Sequence, residues 1–244
     1  MGNRAIHTMY LGDSTIRGSP ERRRRRMIGV MSIEQRLRSA LYDAAIVPLT
    51  ADWYAAVLRR LPASCRLLDV GIGTGTALLA HAPVIERSNL QITGIDIDAA
   101  YIDRCREAVA QHGLSRRVEA RLESVYDHRG GPYDAVYFSG SFMLLPDPPA
   151  ALRRVASLLA PGGRIYFTQT FEHRRSRTVE LAKPLIRFVT TIDFGRVTYE
   201  SEFRRALAEA GTRIMEIVVL HAGSRRSSVL VVAQRALDSE SVSA

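Results

Sequence analysis

At 244 residues, with 46% hydrophobic side chains and a mean hydropathy near zero, the chain has material for one well-buried domain and too little for two complete ones. Its longest apolar runs, such as 229–233, are strand-sized, which argues against a membrane-spanning helix, and its two cysteines, Cys65 and Cys105, are too few for a disulfide scaffold or a clustered zinc site. The formal charge of +9 is concentrated at the start, where residues 1–26 hold seven arginines against Asp13 and Glu21, so the remainder is only mildly basic.

Residues 1–31 are expected to form a disordered basic extension. Its run Arg22 to Arg26 suits a nucleic acid or an anionic membrane surface, and equally suits a solvated tail or a stretch upstream of a start at Met27 or Met31. It contains no apolar secretory core, so a cytoplasmic location is expected, with Cys65 and Cys105 as reduced, buried thiols.

Over 32–61 the apolar residues Ile33, Leu37, Leu41 and Ala45, then Trp53, Val57, Leu58 and Leu61, recur at helical spacing with Pro48 between the two groups. Two helices follow from that pattern, packed beside a sheet or over its carboxyl edge. Residues 66–70 read as a buried strand, followed by a glycine loop and a helix over 76–82. A second strand is expected at 91–97, a helix over 99–112 stopped by Gly113, and a third strand at 117–122. The fourth strand is placed at 133–139, a helix at 149–159 ended by Pro161-Gly162-Gly163, and the fifth strand at 164–169. Alternation of this kind predicts a doubly wound, largely parallel α/β sheet covered on both faces. After an insertion at 171–199, helical over 176–190 but interrupted by Pro184, a helix at 201–210 stops at Gly211. Strands at 213–220 and 228–233 complete the domain, which spans 32–235 and leaves 236–244 as a tail. The link between those two strands is too short for a parallel crossover, so they form an antiparallel hairpin.

The sharpest chemical signal is Asp69-Val70-Gly71-Ile72-Gly73-Thr74-Gly75, directly after a buried strand. Glycines there permit a tight turn and close approach of a ligand to the main chain, although a purely structural strand-to-helix turn would use them too. Asp96, at the end of the second strand, is placed to accept hydrogen bonds from both hydroxyls of a ribose; as a helix cap it is a poorer candidate than Asp98. Loop and acid together imply an adenosine-containing ligand. The spacing D-x-G-x-G-x-G departs from the G-x-G-x-x-G of dinucleotide sites, which puts an oxidoreductase last among the readings.

These residues resemble motif I and the second-strand acid of the class I S-adenosylmethionine-dependent methyltransferases. The likeness continues through Glu123-Ser124, through Pro132-Tyr133-Asp134-Ala135-Val136 and Leu145-Pro146-Asp147-Pro148, and through Leu158-Leu159-Ala160-Pro161-Gly162-Gly163, covering roughly residues 40 to 235. It implies a single seven-stranded sheet with one antiparallel member among its last two strands, and S-adenosylmethionine as cofactor. By the same resemblance the backbone around Asp69, Gly71 and Gly73, with Gly75 completing the loop, would hold the methionine part. Asp96 would hold the ribose, Ile97 would pack on the adenine, Glu123 and Ser124 would meet its edge, and Ser139 would lie beside the sulfonium. The Asn-Pro-Pro-Tyr tetrad of amino-directed nucleic-acid members is replaced by Ser139-Gly140-Ser141-Phe142. The histidine that many small-molecule members carry before Leu-Pro is replaced by Met143-Leu144-Leu145.

Methyl transfer from a sulfonium needs no metal, and needs a general base only where the acceptor must lose a proton. Glu172, His173, Tyr199 and His221 are the candidates, each also readable as an ordinary surface residue. The insertion 171–199 mixes five basic residues from Arg174 to Arg187 with apolar ones such as Leu181 and Phe188, and reads either as an amphipathic lid over the acceptor or as a helix packed on its own domain. The expected acceptor is a small molecule or lipid, with peripheral membrane contact compatible with the insertion. The alternatives are methylation of RNA or another nucleic acid, and a non-catalytic cofactor-binding module.

Overall fold

The computed structural model describes residues 49–172 and 198–236, all of which fall within one compact unit, 44–244. Helix α1 covers 49–58 and leads into strand β1 (Arg66–Val70). The chain continues through α2 (Thr76–Leu79), α3 (Ala82–Arg87), β2 (Gln91–Asp96), α4 (Ala99–Gln111), β3 (Val118–Leu122) and β4 (Tyr133–Ser139). It ends with α5 (Pro148–Ser157), β5 (Leu159–Glu172), α6 (Glu200–Glu209), β6 (Thr212–Ala222) and β7 (Arg226–Arg235).

The seven strands form one sheet in the order β3-β2-β1-β4-β5-β7-β6. Strands β1 to β5 pair in parallel, whereas β7 runs antiparallel to both of its neighbours, β5 and β6. The expected terminal hairpin is therefore present, with its second strand inserted into the sheet. The interior strand β1 is buried at every position but the first, as a parallel strand covered on both faces must be.

Alternation along the strands separates two cores. Leu67, Ile92, Ala135, Tyr137 and Leu230 face α1 to α4, where Tyr54, Val57, Leu79, Ile85, Ile102 and Cys105 meet them. Leu68, Val136, Phe138, Phe167 and Val231 face α5 and α6. On that side Phe138 stacks on Phe167 at 5.3 Å, and Phe203 of α6 stands edge-on to Phe142, Phe167 and Phe171. Both cysteines are buried free thiols, and no helix among the described residues is long and apolar enough to cross a membrane.

The last three strands run two or three residues past one or both expected ends, and two boundaries differ for a local reason. The helix expected over 76–82 is two short ones, because Pro83 lacks the N–H an uninterrupted helix would need and instead begins a new first turn in α3. Strand β5 begins at Leu159 rather than after the Pro161-Gly162-Gly163 stop: Leu159 already pairs with Tyr133, and Gly162, at φ 77°, lets the strand shift register and rejoin at Arg164. The helix expected before Pro48, the helix at 176–190, the 1–31 extension and most of the 236–244 tail lie outside the described residues.

Candidate functional site

The strand order reverses between β1 and β4, which opens a crevice at their carboxyl ends, the position where ligands bind in open α/β sheets. The glycine loop lies there. The N–H of Gly71 donates to the Ile95 carbonyl at 2.8 Å, and the N–H of Gly75, which caps α2, donates to the Ile72 carbonyl at 3.1 Å. Gly71 has φ 82°, and a Cβ on it would come within 2.7 Å of Ser141 Cβ, so no other side chain fits without displacing that neighbour. A Cβ on Gly73 would meet nothing within 4 Å, which marks the open side of the loop.

Asp96 closes β2. Its Oδ2 accepts from the Gly73 N–H and its Oδ1 from the Asp98 N–H, both at 3.0 Å, and each oxygen keeps a further lone pair. Asp98 caps α4 as expected, accepting from the Ala100 and Tyr101 N–H groups. Between the two acids Ile97 is 79% exposed, an apolar side chain standing in the open.

On the neighbouring strand the Glu123 N–H donates to the Asp96 carbonyl at 3.0 Å, which brings the ends of β2 and β3 together. The Glu123 carboxylate lies 2.9 Å from Nδ1 of His128, a fully buried ring whose Nε2 is 2.8 Å from the Tyr133 hydroxyl. Ser124 shapes the following turn: its hydroxyl accepts from the Tyr126 N–H and its carbonyl from the N–H groups of Asp127 and His128.

Beneath the loop Asp69 is fully buried. Its Oδ2 accepts from the Tyr54 hydroxyl at 2.7 Å, while Oδ1 is without a hydrogen-bond partner. Burial pushes its carboxyl pKa up to about 7, the Tyr54 hydrogen bond pulls it down, and the nearby Asp96 charge raises it. Tyr54 stands edge-on to Tyr137 at 5.0 Å, and the Tyr137 hydroxyl is 2.7 Å from that of Thr168. At the end of β4, Ser139 is half-buried, Gly140 lies under the ring of Trp53, and the Ser141 hydroxyl donates to the Val70 carbonyl at 2.5 Å.

The structure thus gathers Asp69, Gly71, Gly73, Gly75 and Asp96 around one loop, with Ile97, Glu123 and Ser124 on the β2–β3 side and Ser139 at the end of β4. The base candidates make contacts of their own. Glu172, at the far end of β5, donates its N–H to the Thr198 carbonyl at 3.2 Å; Tyr199 caps α6; and His221, on the edge strand β6, lies 3.8 Å from the Asp52 carboxylate. His173 is outside the described residues. Trp53, Tyr54, His128 and Ser141 are site residues that sequence reasoning missed. The first two sit in an apolar helical pattern that reads as core, and the others carry no spacing signal.

The donor set fits a cationic adenosine derivative: two carboxylates, one buried with an unused oxygen, face the loop beside an exposed apolar side chain. A dinucleotide would bring a pyrophosphate towards that same negative charge.

A family model described as a methyltransferase domain matches residues 42–217. The ubiquinone biosynthesis O-methyltransferase of Xanthomonas axonopodis pv. citri is 34% identical over 127 residues, covering 51% of this chain and 50% of that protein. The chain thus matches about half the length of that relative. The enzyme of the same name from Erwinia tasmaniensis is 28% identical over 181 residues, 72% of each chain. Among solved structures, the geranyl diphosphate C-methyltransferase of Streptomyces coelicolor, in complex with Mg2+, geranyl diphosphate and S-adenosyl-L-homocysteine, shares the fold with a TM-score of 0.60 at 17% identity over 77% of each chain.

Proposed function

The chain belongs to the class I S-adenosylmethionine-dependent methyltransferases, and from that premise we propose that it methylates a small-molecule or lipid-like acceptor. The observation that carries the cofactor part of this reading is the pair of carboxylates at the glycine loop, Asp69 with its unused buried oxygen and Asp96 at the end of β2. Bound S-adenosylmethionine supplies a methyl group on a sulfonium, which is already a good leaving group.

The work left to the protein is placement and exclusion of water, which can supply most of the acceleration of an in-line displacement. Asp96 would receive the ribose hydroxyls, and its hydrogen bond from Gly73 holds it to the loop. Ile97 would cover one face of the adenine, and Glu123, held by His128, would meet its edge together with Ser124. The main chain at 69–73 and Gly75 would hold the methionine end, and Ser139 would border the reacting centre. If the attacking atom is a hydroxyl, Glu172 or Tyr199, the described residues on either side of the insertion, would take its proton.

The relatives named for ubiquinone biosynthesis support a small, lipid-like acceptor, and their O-methyltransferase names make phenolic hydroxyls the first compounds to screen. Calorimetric titration with S-adenosylmethionine, S-adenosylhomocysteine and NAD is the direct test. The first two are expected to bind, NAD is not, and Asp96→Ala is expected to weaken binding at least about 100-fold by removing two charge-assisted contacts. Binding of NAD alone would overturn the reading. Salt-sensitive binding of RNA, together with methyl incorporation into it, would move the acceptor to nucleic acid.

A further inference from the structure

Among the described residues two buried side-chain atoms lack a hydrogen-bond partner: Oδ1 of Asp69 and Nε1 of Trp53. One is an acceptor that carries negative charge, the other a neutral donor, and adjacent residues of α1 link them. Trp53 and Tyr54 are successive residues of α1. Tyr54 reaches down to Asp69 at the end of β1, while the Trp53 ring lies on Gly140 just past β4, where a Cβ would come within 3.2 Å of it. Gly71 and Ser141 close the remaining gap between the two strand ends. The orphaned donor and acceptor therefore flank the crevice at which the strand order reverses.

A buried polar atom without a partner costs free energy, and a native chain keeps one where a ligand completes it. Phenylalanine could cover Gly140 with the same apolar surface; what tryptophan adds is an N–H. A ligand that satisfies both atoms offers a donor to Asp69 and an acceptor to Trp53, and a cationic donor with an anionic acceptor makes the strongest such pair. The α-ammonium and α-carboxylate of an amino acid are such a pair.

Resting on the cofactor reading above, we propose that Trp53 is a specificity-determining residue whose indole N–H donates to the carboxylate of the methionine end of S-adenosylmethionine, while the free oxygen of Asp69 accepts from its ammonium. Helix α1 then contributes both a direct contact, through Trp53, and the Tyr54 hydroxyl that aims Asp69. The chain consequently distinguishes the complete cofactor from its decarboxylated form, which shares every other group.

Trp53 is the only tryptophan in the chain, so its indole N–H gives a single resonance in isotope-labelled protein. That resonance is expected to move downfield when S-adenosylmethionine is added to the full chain, and much less with decarboxylated S-adenosylmethionine. In calorimetry Trp53→Phe is expected to bind S-adenosylmethionine about 10-fold or more weakly, and to bind the decarboxylated compound as the wild type does. An indole resonance that responds to both compounds alike or to neither overturns the proposal, as does a variant that binds S-adenosylmethionine normally. The spectroscopic arm needs no variant, so a poorly folding Trp53→Phe leaves the test intact. Failure of the wild type to bind either compound would instead remove the cofactor reading, and this proposal with it.

Discussion

Asp69 holds its carboxylate where water cannot reach it, with one hydrogen bond from Tyr54 and one oxygen unused. In the unfolded chain its pKa is that of an ordinary aspartate, about 3.9, whereas in the fold it lies at about 7. Between those values the ligand-free native state keeps the proton and the unfolded state does not. The stabilising share of this group is therefore complete below about pH 4 and lost as pH rises to about 7. Urea unfolding of ligand-free protein is expected to show a downward slope across that window which Asp69→Asn removes, the variant gaining on the order of 1–3 kcal/mol over wild type at pH 8. Cofactor affinity should run the opposite way. A cationic ammonium selects the ionised carboxylate, so binding by calorimetry tightens as pH rises towards 7. Tyr54→Phe deletes the one interaction that lowers this pKa, and is expected to move both profiles to higher pH.

The glycine loop shows how tightly a site element is bound to its supports. Gly75 has φ 71°, and a Cβ there would lie 2.7 Å from the Cys105 sulfur on α4. Gly75→Ala is expected to cost about 1–3 kcal/mol in thermal or urea unfolding through overpacking and backbone strain. Adding Cys105→Ala should recover the overpacking and leave the strain. This loop and Asp96 were legible in the sequence because their spacing is local: three glycines after a buried run, then an acid at the next strand end. The strand boundaries of β1, β2 and β4 were legible for the same reason. Where one residue had two readings, the sequence was less informative. Pro83 could end a helix or open one, and the glycines after Pro161 could stop a helix or let a strand shift register. Trp53 and Tyr54 mark the harder limit. Periodicity says that they face inward, but which buried polar atom each one meets depends on Asp69 and Gly140, brought there by the sheet. His128 is harder still, a lone histidine in a loop that becomes the buried link between Glu123 and Tyr133 only once β3 and β4 are in place.

At the scale of the molecule, ligand binding and stability are one equilibrium. S-adenosylmethionine or S-adenosylhomocysteine at about 100 times its Kd adds about 2.7 kcal/mol to the native state, a rise in Tm of roughly 5–10 °C for a domain of this size. Thermal shift assays are expected to show that rise for both compounds and none for NAD. The place of β7 has a different consequence, one of timing. Its residues 226–235 form the last described strand, yet they lie between β5 and β6 and carry Leu230 and Val232 into one core and Val229 and Val231 into the other. On a ribosome, then, β5 must wait with one edge unpaired while α6 and β6 are made, and β6 has nothing to pair with until the strand after it emerges. Nascent chains halted at residue 225 are expected to be protease-sensitive, and those long enough to free Arg235 to be resistant. The sheet is completed late, by a strand that slots in beside its edge.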